Sequence, residues 1–135
     1  MRWFKRVLFA FAALVLLLIV GLAVLSADEK AQVARFYDAH PMLQMIDKIP
    51  AILDRERVDV LLQRVPKGST RKDAFQILSS EGMSCFNATP NQRPLVCGVK
   101  KREPAHLIPN WHVEVQFNEN DKVSGGRVLA LKATY

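Results

Sequence analysis

One feature constrains this chain above all others: an unbroken apolar run from Val7 to Leu25. Its nineteen residues carry no charge and no polar side chain; fourteen are Leu, Ile, Val or Phe, and the rest are Ala10, Ala12, Ala13, Gly21 and Ala23. As a helix rising ~1.5 Å per residue the run spans about 28 Å, close to the ~30 Å hydrocarbon thickness of a bilayer. At about −0.3 to −0.6 kcal/mol per large apolar residue, the fourteen favour insertion by roughly 4–8 kcal/mol. Arg2, Lys5 and Arg6 precede the run, and Asp28 and Glu29 follow it. Cations mark the cytoplasmic side of a spanning helix, so residues 28–135 are expected across the membrane. Trp3 and Phe4 suit the headgroup boundary on the near side.

The same N-terminus has the outline of a secretory signal, with conceivable cuts after Ala23 or Ala27. Signal h-regions run about 7–15 apolar residues, and this one is longer. Leu25 also stands where a small residue is expected three before the second cut. The expectation is an uncleaved signal-anchor, with a released soluble protein as the alternative.

A chain of 135 residues with one span leaves room for one small domain. The formal charge of +6 divides equally: the first 27 residues contribute +3, and residues 28–135 hold sixteen Lys and Arg against thirteen Asp and Glu. Half of the basic balance is therefore membrane topology. No dense basic helix or aromatic–basic alternation points to nucleic acid. Cys85 and Cys97 both fall in the exported part, where an oxidising compartment favours pairing.

Beyond the run, residues 28–53 read as a helical stalk and connector. Val33, Phe36, Tyr37 and His40 recur at helical spacing until Pro41 disfavours helix at His40. Met42, Met45, Ile46, Ile49 and Leu53 then form one amphipathic stripe, interrupted by Pro50. A domain is expected over residues 54–135. A short helix with Asp54 as its cap carries Val58, Leu61, Leu62 and Val65 on one side. Pro66-Lys67-Gly68 breaks it, and Thr70 with Asp73 makes a capping box for a second helix ending at Gly82. After Gly82 the period changes from 3.6 to 2. Short strands are expected at Met83–Phe86, Leu95–Val99, Trp111–Phe117 and Val128–Ala133. The turn-rich loop from Ala88 to Pro94 and the polar turn from Asn118 to Lys122 separate them, and Gly125-Gly126 is read as a bulge or bend. Helices packed on a small antiparallel sheet of three to four strands make an α+β domain behind a transmembrane helix.

The order of a helix, the run Pro66-Lys67-Gly68-Ser69-Thr70-Arg71-Lys72-Asp73, a helix with Leu78 ending at Gly82, and the Trp111–Phe117 strand with its polar turn resembles the small-protein-A/BamE-like domains. These are bacterial envelope modules related in fold to the β-lactamase inhibitor proteins, and the likeness covers roughly residues 54–134. The best-known member is a lipoprotein of the outer-membrane β-barrel assembly machine; here no lipid-acceptor cysteine stands directly after the apolar run, and a spanning anchor is expected in its place. The resemblance implies a non-catalytic binding or scaffolding module in a bacterial periplasm; the apolar run and its flanking charges add the expectation of an inner-membrane anchor with its N-terminus in the cytoplasm.

Candidate site residues follow from residue type. Cys85 and Cys97 close a short loop around adjacent strands and are expected as a disulfide. Cys85, Cys97, His106 and His112 are zinc-ligand types but lack the short Cys pair of finger sites, so no metal is expected. There is no nucleophile elbow, no His-Glu-x-x-His and no phosphate-cradling loop, and neither enzyme activity nor a cofactor is expected. The candidate partner surface for another envelope protein is Met42, Met45, Ile46 and Ile49 with the basic triplet Lys100, Lys101 and Arg102. For the apolar stripe, packing on the domain's own core is the first expectation, with a partner or the membrane surface as the alternatives.

Overall fold

The computed structural model describes residues 1–86, 93–99 and 101–131. Four helices, α1 (Arg2–Ala39), α2 (Pro41–Asp47), α3 (Asp54–Arg64) and α4 (Arg71–Ser80), precede four strands, β1 (Met83–Phe86), β2 (Leu95–Val99), β3 (Asn110–Phe117) and β4 (Val123–Leu131). The strands form one antiparallel meander in the order β1-β2-β3-β4. The chain is thus α+β, with helices on one face of a four-stranded sheet.

α1 is a single helix of 38 residues, about 57 Å long at ~1.5 Å per residue. It contains no proline, and its one glycine, Gly21, has no neighbour near it. The apolar run and the stalk are therefore one rod, ending where Pro41 opens α2. Among the described residues nothing covers the apolar window, whereas Phe36 near the far end is buried. By length and composition α1 qualifies as a membrane span, and an N-terminal signal sequence has the same profile.

The core gathers Phe36, Met42, Leu43, Ile46, Leu61, Val65, Ala74 and Leu78 from the helices. The sheet adds Met83, Leu95, Cys97, Trp111, Val113, Val115, Val123 and Val128. Two expectations change here. The segment 28–53 is not a connector outside the domain, because Val33, Phe36 and Tyr37 pack with α2 on the same core. Met42 and Ile46, expected among the partner-facing residues, are fully buried in it. An amphipathic stripe shows that one face is covered; here the cover is the chain's own sheet and helices.

Two local differences also have physical causes. α3 begins one residue earlier than a cap at Asp54 requires: Leu53 occupies the cap position, without a side-chain bond, and Asp54 and Glu56 lie in the first turn, where acids complement the helix dipole. β4 starts at Val123, not Val128, and runs through Gly125 and Gly126, with a bulge where the register slips beside Gln116 and Phe117. A β-carbon at Gly126 would stand 2.7 Å from Leu61 Cδ2 and 3.0 Å from the Glu114 carbonyl oxygen. Glycine there lets α3 lie close on the sheet. On α4, Ala74 and Leu78 are buried and Phe75 is 36% exposed. Thr70 caps this helix as expected, its hydroxyl oxygen accepting from the Asp73 backbone N–H at 3.1 Å.

Trp111, Val113 and Val115 face the helices, and His112, Glu114 and Gln116 alternate on the open face. Glu114 there pairs with Arg127 directly across the ladder, at 3.8 Å. The loop expected from Ala88 to Pro94 lies outside the described residues over 88–92, as does the end of the last expected strand beyond Leu131.

Candidate functional site

The junction between α1 and the domain is where the structure concentrates its polar contacts. His40 ends α1, and its ring stacks on Phe36 with centroids 4.3 Å apart. Its Nδ1 donates to the Phe36 carbonyl at 2.7 Å. Opposite stands Gly82, whose φ of +80° ends α4 in the left-handed region and whose missing β-carbon leaves room for the His40 ring; a methyl there would come 2.8 Å from Nε2. Next to it, Glu81 is 8% exposed. One carboxylate oxygen accepts from the Met42 backbone N–H at 3.2 Å, and the other pairs with Arg64 at 3.1 Å. Glu81 thus satisfies a free N–H in the first turn of α2 from another helix, with its charge at the favourable end of the helix. Together these contacts tie α1, α2, α3 and α4 at one corner.

A second set of contacts braces the same corner from the sheet. Arg57 on α3 donates through Nε and an Nη to the Ile49 carbonyl, at 2.9 and 2.7 Å, closing the turn after α2. Its guanidinium lies 5.4 Å from the Trp111 ring centroid, within cation–π range. Burial pushes the Tyr37 hydroxyl up to about 12, with the neighbouring Asp47 carboxylate adding to the shift and Trp111 and Arg57 opposing it. The buried Trp111 indole N–H lies close enough to that hydroxyl to influence it, yet makes no hydrogen bond of good geometry.

At the far end of the sheet, Arg71 is 3% exposed. Its Nε donates to Asp121 at 2.9 Å, an Nη donates to the Arg93 carbonyl at 2.8 Å, and its guanidinium stacks 4.0 Å over Phe117. Gly68 and Val123 exchange backbone bonds with Val123 and Ser69, so the turn before α4 is zipped to the β3–β4 hairpin. Neither Arg71 nor Glu81 was legible as buried. Each reads in sequence as one charge on a polar helix end, and their partners lie up to 50 residues away.

Cys85 and Cys97 stand directly opposite in the β1–β2 ladder and are joined as a disulfide. That removes both thiolates from any zinc set with His106 and His112, and the two histidines lie apart: His112 on the open sheet face opposite Leu129, His106 beside Glu29 of α1. Among the described residues no three His, Cys, Asp or Glu side chains cluster as metal ligands would.

Of the expected partner surface, Met45 is exposed and Ile49 is half-buried, while Met42 and Ile46 are in the core. Lys101 is exposed and pairs with Glu103 at 3.3 Å. Arg102 is turned to structural use, donating to the Ile108 carbonyl at 3.0 Å. Lys100 lies outside the described residues. Lys101 and Glu103 do meet α1: with Gln32, Arg35, Phe36 and His40 they line a groove of about 290 Å³ between the stalk and the β2–β3 connector. Ile52, 90% exposed, and Leu53 add to Met45 at the α2–α3 turn. Apolar exposure of that kind had no distinct signal beside the buried members of the same stripe.

Compared with known proteins, the chain matches no family model, no curated protein and no solved structure.

Proposed function

We propose that this chain is a membrane-anchored interaction module of the bacterial envelope, non-catalytic, with its N-terminus in the cytoplasm and its α+β domain in the periplasm. The observation that carries the reading is the division of α1: its apolar part has no cover among the described residues, and the same unbroken helix continues into the core at Phe36. An apolar rod of that length exposed to water would be strongly unfavourable, so its cover is lipid. Cations before the run and acids after it set the orientation, and the disulfide suits an oxidising compartment. The resemblance to the small-protein-A/BamE-like domains supports scaffolding rather than catalysis. The partner is another envelope protein, meeting the apolar group Met45, Ile52 and Leu53 or the Lys101 side of the groove.

The runner-up is a soluble periplasmic binding or inhibitor protein, released by cleavage. It draws on one specific observation: every core residue lies at or beyond Val33, so a cut after Ala23 or Ala27 would leave the core complete.

Site-specific photo-crosslinking in membranes tests the proposal. A photoreactive side chain at Ile52 or Lys101 is expected to give a discrete protein adduct. The same group at Asn120, on the opposite hairpin turn, is expected to give none. Equal labelling at all three positions, or adducts only between copies of this chain, would count against a dedicated partner surface.

A further inference from the structure

The β2–β3 connector follows α1 back towards its apolar run. Lys101 and Glu103 line the groove beside Arg35 and His40, and His106 Nε2 reaches Glu29 Oε1 at 3.6 Å. Glu29 is four residues beyond Leu25, about 6 Å along the helix axis. A bilayer of about 40–45 Å overall around a ~30 Å hydrocarbon core leaves a headgroup layer of about 5–8 Å on each side. The contact between His106 and Glu29 therefore falls at the outer edge of the headgroups when the apolar run spans.

The connector is built to hold its shape at that level. Leu107 and Ile108 backbone N–H groups donate to the Pro104 carbonyl at 3.2 and 3.3 Å. Arg102 donates to the carbonyls of Ala105 and Ile108. Ile108 is buried as a peg in the core, and its neighbour Leu107 is left 47% exposed. A braced turn carrying an exposed leucine, next to a residue that touches the helix at headgroup height, is a surface for lipid. We infer that the Pro104–Ile108 turn rests on the membrane, with Leu107 in the headgroup region, as a second contact that fixes the tilt of the domain over the bilayer. Lys101 pairs with Glu103 and Arg102 donates to backbone carbonyls, and the side chain proposed to meet the lipid is the apolar Leu107. This inference rests on the anchor reading, and its test separates the two.

Full-length protein is reconstituted in phosphatidylcholine vesicles with a nitroxide label at one of three exposed positions, Leu16→Cys, Leu107→Cys or Asn120→Cys. The Cys85–Cys97 bond stays closed, so a thiol-specific label goes only to the new cysteine. Immersion depth is read from the relative accessibility to oxygen and to a water-soluble nickel chelate. The label at 16 is expected in the hydrocarbon core, that at 107 within about 5 Å of the phosphate level, and that at 120 in water. A label at 107 with the same accessibility as that at 120, while 16 remains buried in lipid, overturns the second contact and leaves the anchor standing. A water-exposed label at 16 overturns the anchor and the contact with it.

Discussion

Replacing Glu81 is the perturbation whose consequence the structure specifies most fully. In Glu81→Ala the Met42 N–H, beside a side chain with no exposure, loses its only hydrogen-bond acceptor shown among the described residues. A buried donor left without a partner costs about 1–3 kcal/mol. The Arg64 side chain is 42% exposed and returns to water, so the lost ion pair adds only about 0.2–1 kcal/mol. The expected total is about 1–4 kcal/mol. Glu81→Gln keeps an acceptor for Met42 and loses the charge, and is expected to cost about 1 kcal/mol. Arg64→Ala leaves the Glu81 carboxylate, only 8% exposed, without its ion-pair partner, and is expected to cost about 1–3 kcal/mol. Urea denaturation of the full-length protein in mild detergent, followed by Trp111 emission in a Trp3→Phe background, reads these differences. With slopes of about 1–3 kcal/mol/M, the Glu81→Ala midpoint should fall by about 1–2 M. If Glu81→Ala and Glu81→Gln agree within about 0.5 kcal/mol, the Met42 bond contributes nothing and the corner is not held as described.

Alkylation without reductant should leave Cys85 and Cys97 unlabelled, and the double change to alanine should cost about 3 kcal/mol for a loop with a separation of 12 residues; two free thiols in the isolated protein would refute the staple. Gly82→Ala meets both a φ of +80° and the His40 ring, so it should destabilise by about 1–3 kcal/mol, and a paired His40→Ala change should recover part of that loss. Tyr37 holds its proton more tightly when folded, its pKa being raised from 10.0 to about 12, so its contribution is complete below pH 10 and is lost as pH rises towards 12. The decline in denaturation midpoint over that window should be shallower in Tyr37→Phe; identical slopes would show that Tyr37 is not buried against the domain.

Local signals carried much of the fold. Period 3.6 up to Pro41 gave α1 its full length, Thr70 and Gly82 framed α4, and alternation from Trp111 to Phe117 gave β3 its inward residues. Adjacent strands around a short loop brought the cysteines together. What stayed hidden depends on distant packing. The stripe from Met42 to Leu53 shows that something covers it, not whether the cover is the chain's own core or another molecule. Gly125-Gly126 reads as a bulge or bend, but the packing role of Gly126 stayed hidden because the helix that needs its small size, carrying Leu61, is 65 residues away. The buried roles of Glu81 and Arg71 depend on partners brought near only by the completed sheet. At the junction, sequence separated stalk from domain where the structure joins them, since Phe36 and Tyr37 reveal their burial only once α2 and the sheet are in place.

The central claim is that α1 remains whole and holds the domain at a membrane. Intact mass measurement of the protein extracted from bacterial membranes after an alkaline wash tests this directly. The account predicts an uncleaved chain of 15.2 kDa, retained in the membrane and carrying one closed disulfide. A mass corresponding to a chain that begins at Val24 or Asp28, recovered in the soluble fraction, would contradict it.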